Sequence, residues 1–94
     1  MRKRINPKPI LLAALMGEQI PPGRKVGVVY SRFIFANHLR LQRKNQEEIG
    51  AVMNRDRSTV SYYLRKYDEE YKYNPEFREL ADWFNLIKEQ IEQI

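Results

Sequence analysis

The run Arg55-Asp56-Arg57-Ser58-Thr59-Val60 brings two guanidinium groups, a carboxylate and two hydroxyls together in a chain of 94 residues. Arginine can donate two hydrogen bonds to guanine O6 and N7, aspartate can accept from the cytosine amino group, and serine or threonine can pair with several base edges. The same residues also have plainer uses. Asp56 is equally placed to cap a helix, with Ser58 or Thr59 as alternative caps. Arg57, Arg65 and Lys66 could be ordinary solvated charges. Other chemistries are poorly represented. The chain has no cysteine and one histidine, His38, so disulfides, thiolate zinc sites and thiol nucleophiles are ruled out. His38 has no catalytic partner near it in sequence and reads as structural or solvated. Without a nucleophile–base pair, a metal cluster or suitably set paired carboxylates, the sequence predicts a non-enzyme with no cofactor and no metal.

The elements that would position these residues follow from periodicity and from helix start and stop signals. Residues 1–8, basic and proline-bearing, read as a flexible arm, and residues 9–94 as one helical domain. Pro9 to Met16 reads as a short first helix, with Gly17 at its C-terminal cap. Ile20-Pro21-Pro22-Gly23 cannot continue it, so a loop carries the basic pair Arg24-Lys25. A second helix is predicted over about Val28 to Arg43, with Tyr30, Phe33, Ile34 and Leu41 on one face. The β-branched and aromatic content of Val26 to Phe35 would suit a strand, but no second strand is available to pair with it.

Asn45 and Glu48 form a capping box that starts a third helix at Gln46. That helix should turn Ile49, Val52 and Met53 inward and stop near Asn54, with Gly50 letting another helix cross closely. The fourth starts between Asp56 and Ser58. Val60, Tyr63, Leu64, Tyr67 and Tyr71 recur on its core face, while Arg57, Ser58, Ser61, Tyr62, Arg65 and Lys66 face outward. Asn74-Pro75-Glu76 opens a final helix of about residues 75–93, with Phe77, Leu80, Ala81, Phe84, Ile87, Ile91 and Ile94 along one side. The fold class is therefore all-α, with five helices of which the first and third are short. The helix-turn-helix spans about residues 45–72.

Charge is divided unevenly along the chain. Residues 1–66 hold 14 Lys/Arg against 4 Asp/Glu, whereas residues 67–94 hold 3 against 8. A basic portion of this kind suits a polyanionic partner, and the composition suits the cytoplasm, in a bacterial or phage nucleoid. The apolar run Ile10 to Met16 is too short to span a membrane and lacks a signal-cleavage pattern. The partner expected is double-stranded DNA, with Asp56, Arg57, Ser58 and Ser61 at base edges. Arg43, Lys44, Arg55 and Arg65 flank them at backbone phosphates. Two other readings remain. A protein-interaction module would use the acidic C-terminal helix, where Trp83 and Leu86 widen the apolar stripe into a surface for a second copy or another protein. A single-strand binder would use exposed aromatics, which the core spacing of most tyrosines disfavours.

The residues Glu48-Ile49-Gly50 followed by Arg55-Asp56-Arg57-Ser58-Thr59-Val60 resemble the signature of the C-terminal DNA-binding domain of the bacterial replication initiator DnaA. Upstream, Arg24, Val28 and Arg32 fall at that family's spacing, so the resemblance covers about Arg24 to Tyr67. It implies that Arg24, with Lys25, enters the minor groove and that Asp56, Arg57 and Ser58 read the major groove. It also implies that Arg32, Arg40 and Thr59 hold phosphates, and that a monomer binds a short asymmetric site in replication or transcription control. Three features differ from the family pattern: the turn at Met53-Asn54 is one residue shorter, Arg57 stands where a histidine is usual, and the spacing from Arg32 to Asn45, which includes Arg40, is offset by about one residue. With no Gly-rich phosphate loop of the Walker type, the resemblance implies a DNA-binding domain and not an ATPase.

Overall fold

A computed structural model describes residues 5–92. It contains five helices: α1 (Pro7–Leu15), α2 (Val26–Leu41), α3 (Gln46–Met53), α4 (Arg57–Tyr73) and α5 (Pro75–Glu92). No strand occurs among the described residues.

The arrangement centres on α2, which packs against every other helix, whereas α3 touches α2 and α4 alone. Residues 33–39 are buried without interruption. A helix covered on all sides needs no polar face, which is why its composition imitated a strand. Two polar residues inside it are satisfied locally. Ser31 Oγ donates to the Gly27 carbonyl at 2.8 Å, and Asn37 Oδ1 accepts from Arg40 Nη2 at 2.6 Å.

The core joins Leu11 of α1, Phe33 and Ile34 of α2, Ile49 and Met53 of α3, Val60, Tyr63 and Tyr67 of α4, and Phe77, Ala81 and Phe84 of α5. Phe77 is its aromatic hub, with ring centroids 5.0 Å from Tyr30, 5.5 Å from Tyr67 and 6.5 Å from Phe33. His38 is buried between Phe35 and Phe84, with Lys88 Nζ 3.4 Å from its Nδ1. Burial, reinforced by the Lys88 charge, lowers the imidazole to about 4, so it is neutral in the folded chain at pH 7.

Several expected boundaries move. Asn6 Oδ1 accepts from Lys8 N at 3.0 Å and caps α1, so Pro7 and Lys8 belong to the helix and not to an arm. Of the rest of that predicted arm, residues 1–4 lie outside the described residues, as does Ile94. Helix α2 begins at Val26 and ends at Leu41, where Arg43 turns left-handed with φ 65°. Leu41, Val52 and Ile91, expected on core faces, are exposed. Gly27 is close to the Ile5 carbonyl, where a side chain would collide; nothing in the local pattern indicates that crossing. The caps of α3 and α5 do follow the pattern. Glu48 N donates to Asn45 Oδ1 at 2.9 Å while Asn45 N donates to Glu48 Oε1 at 3.0 Å. Asn74 Oδ1 accepts from Phe77 N at 3.2 Å at the start of α5.

Candidate nucleic-acid interface

The residues between α3 and α4 set how α4 begins. Asn54 closes α3 in the left-handed region at φ 56°, ψ 51°, and Arg55 N donates to the Gly50 carbonyl at 2.9 Å. Asparagine tolerates this conformation better than most side chains. A Cβ at residue 50 would collide with the Arg55 carbonyl. Gly50 therefore admits the turn itself, whereas the sequence suggested a crossing helix. The chain then turns through Asp56, whose Oδ1 accepts from Thr59 N at 2.8 Å and from Ser58 Oγ at 3.1 Å. These hydrogen bonds from Thr59 and Ser58 hold the Asp56 carboxyl below the ordinary carboxylate range. Of its two candidate uses, capping is thus realised; Ser58 donates its hydroxyl proton to the cap while remaining exposed.

Val60, Tyr63, Leu64 and Tyr67 bury the inner face of α4. This leaves Arg57, Ser58, Ser61 and Arg65 exposed on the opposite side, and Thr59 half-buried. The Arg57 side chain is 71% exposed, and its nearest opposite charge is Glu47 Oε1 at 4.0 Å. Such a pair in water contributes little and leaves the guanidinium available. Tyr62, which the sequence placed facing outward, is half-exposed. Its ring meets Phe33 edge-on at 6.1 Å, and the Arg65 guanidinium lies 5.7 Å from its centre.

The other cations divide into free and committed groups. Arg24 and Lys25 are exposed on the α1–α2 loop, and Arg43 is exposed beyond α2. Lys44 and Arg57 border a groove of about 460 Å³ between the end of α2, the start of α3 and the start of α4. Lys66, predicted to face outward, is half-buried and lies 3.8 Å from Glu69 Oε2.

Three arginines differ from the simple picture of free phosphate ligands. Arg40 Nη2 donates to Asp68 Oδ1 at 2.8 Å and its Nε donates to Asn37 at 3.1 Å. Its fork fastens α2 to α4, so the free phosphate-binding guanidinium expected at Arg40 is not what the fold presents. Arg32 Nη2 donates to the Pro21 carbonyl at 3.1 Å and holds the proline loop on α2. Arg55 donates from Nη1 to the Asn54 carbonyl at 2.9 Å and from Nε to the Tyr63 hydroxyl at 3.3 Å, bracing the turn.

The acidic α5 packs on α1, α2 and α4 but not on α3, which keeps its carboxylates off the short helix before the turn. Trp83, expected to widen an outer apolar surface, is instead half-buried against the core, with Lys8 Nζ 4.9 Å from its ring centre. Leu86 is 57% exposed, as that expectation requires. Among the described residues no helix is long and apolar enough to cross a membrane, and no His, Cys, Asp or Glu cluster has the makings of a metal site.

What the arrangement can do chemically is present arginine and hydroxyl donors from the capped end of a helix anchored along one face, beside a groove lined by Arg40, Lys44 and Arg57 together with Glu47. In comparisons with known proteins, no protein family, no curated protein and no solved structure matches this chain.

Proposed function

We propose that this chain binds double-stranded DNA in a sequence-selective way, with the first turns of α4 in the major groove. The observation that carries the reading is the exposed row of Arg57, Ser61 and Arg65 on a helix that Val60, Tyr63, Leu64 and Tyr67 anchor in the core. Such a helix can enter a groove about 12 Å wide without leaving its core. Arg57 and Ser61 read base edges, joined by the free edges of Asp56 and Ser58. Lys44, Arg43, Arg65 and Thr59 hold the phosphates that set the register. Arg24 and Lys25, on their exposed loop, reach the adjacent minor groove. The resemblance to the DnaA domain supports the same assignment, a short asymmetric site bound by one copy, and a regulatory role in replication or transcription within a nucleoid.

Selection from a pool of randomised duplexes, followed by fluorescence titration of the winning site, tests the proposal. Enrichment of a short motif and preference for duplex over single strand are the expected results. Retention of a random pool, or equal affinity for single strands, would refute selective duplex recognition.

A further inference from the structure

We infer that Glu47 is a positioning residue that sets the sequence selectivity of this interface, by holding the Arg57 guanidinium for base edges and denying it to the phosphate backbone. The inference rests on the DNA reading and deepens it. The two acids in the first turn of α3 have different places. Glu48 is spent on the cap, where its Oε1 accepts from Asn45 N at 3.0 Å. Glu47, with a side chain 77% exposed, reaches across the turn instead, its Oε1 4.0 Å from Arg57 Nη1. Among the described residues that line the groove beside Arg57, Glu47 is the one acid, set among Arg40, Lys44 and Arg57.

An acid in a first turn favours the helix dipole wherever its side chain points, and an exposed ion pair adds little to stability. What is particular to Glu47 is its place next to Arg57 on a surface that meets a polyanion. A carboxylate there opposes every phosphate that approaches, a repulsive element of the kind that raises selectivity while lowering affinity. Its effect on Arg57 depends on what Arg57 touches. A guanidinium has five N–H donors in a planar fork, so it can give two to guanine O6 and N7 and turn another edge to the Glu47 carboxylate. A phosphate on the same guanidinium would bring a second anion against Glu47, which like-charge repulsion disfavours.

Entry of the duplex sharpens this choice. As DNA displaces water from the groove the local dielectric falls, and both the attraction of Glu47 for Arg57 and its repulsion of phosphate grow. Removing the carboxylate therefore frees Arg57 to take a phosphate, which adds a sequence-independent contact and releases one more counterion. Asp56, next to Arg57 in the chain, has its Oδ1 engaged by Thr59 N and Ser58 Oγ in the cap of α4, so Glu47 is the acid left to act on the guanidinium.

Fluorescence titrations of the selected duplex and of a scrambled one, over a series of salt concentrations, test the role. Glu47→Gln should tighten binding to the scrambled duplex about three- to tenfold and to the selected duplex by no more than about twofold, so that the selectivity ratio falls. The salt dependence on the scrambled duplex should steepen by about one released ion. Glu47→Asp, which keeps the charge on a shorter arm, should restore part of the ratio. Action through Arg57 also requires coupling. In an Arg57→Gln background, Glu47→Gln should do no more than Glu89→Gln, which removes one exposed charge from α5, a helix that does not pack on α3. An equal shift on both duplexes, or a shift that persists without Arg57, overturns the inference. So does a repeat selection in which Glu47→Gln alters a base position other than the one Arg57→Ala relaxes, because Glu47 would then read a base itself. A wild-type chain that does not distinguish the two duplexes sinks the DNA reading and this inference with it. A wild-type preference that Glu47→Gln leaves whole sinks this inference alone.

Discussion

The two halves of α4 belong to one unbroken helix and use their side chains in different ways. Beyond Tyr67, polar groups are drawn into the packing. Asp68 receives the Arg40 guanidinium, Tyr71 donates to Asp82 at 2.7 Å, and Glu70 accepts from Asn74 at 2.9 Å. Arg78 donates to the carbonyls of Tyr71 and Lys72, both at 2.8 Å, and so satisfies the end of the helix. Before Tyr67, the outward row of Arg57, Ser61 and Arg65 stays in solvent while Val60, Tyr63 and Leu64 bury the inner face; beyond it that face is only half-buried, at Glu70 and Tyr71. Residues that stabilise a helix spend their donors on neighbours, whereas residues available to a partner keep theirs.

The comparison is broken most severely through the core on which both halves rest. Phe77→Ala removes the fully buried aromatic hub and is expected to cost about 3–5 kcal/mol of unfolding free energy, read by urea denaturation. That is a large share of the total stability of a domain this size.

Acid acts on the packed side through His38. The unfolded imidazole titrates near 6.5 and the folded one at about 4, so the unfolded state binds the proton first. Stability from this group is full above pH 6.5, falls as the pH drops through that window, and is about 3 kcal/mol lower below pH 4. Urea titrations across that range, with His38→Gln as the control lacking this slope, measure the effect. An unchanged slope in the control would show that other groups carry it.

Smaller changes separate the halves from each other. Gly50→Ala sets a methyl against the Arg55 carbonyl and should cost about 1–3 kcal/mol of stability, while displacing the start of α4 and weakening duplex binding. Arg57→Ala should leave the melting temperature nearly unchanged, yet lose about 1–3 kcal/mol on the selected duplex and less on scrambled ones. Equal losses on every sequence would remove Arg57 from base reading. Lys44→Ala should weaken all duplexes alike and reduce the salt slope by about one.

The smallest effect on DNA binding sharpens the contrast between the committed and the free arginines. Arg40→Ala removes a partly exposed ion pair and leaves the buried Asn37 Oδ1 without its donor, so it should cost about 1–3 kcal/mol of stability. It should change the salt dependence of DNA binding less than Lys44→Ala does. A salt-slope change as large as that of Lys44 would return Arg40 to the phosphate ligands.

Much of this molecule is legible along the chain. Caps and periodicity act within one turn of helix, so Asn45 with Glu48, Asn74 with Phe77, and the row from Val60 to Tyr67 could be read from spacing alone. The all-α class, the five helices and the exposure of Arg57, Ser61 and Arg65 follow from that local chemistry. Tertiary structure decided which charges stay free, because a guanidinium is claimed by whatever acceptor the fold brings near it. Asp68 is 28 residues from Arg40, and Pro21 is 11 from Arg32. The same holds for Trp83 beside Lys8 and for Gly27 under Ile5. Contacts between residues far apart in sequence leave no periodic trace, since their partners are chosen by packing and not by spacing.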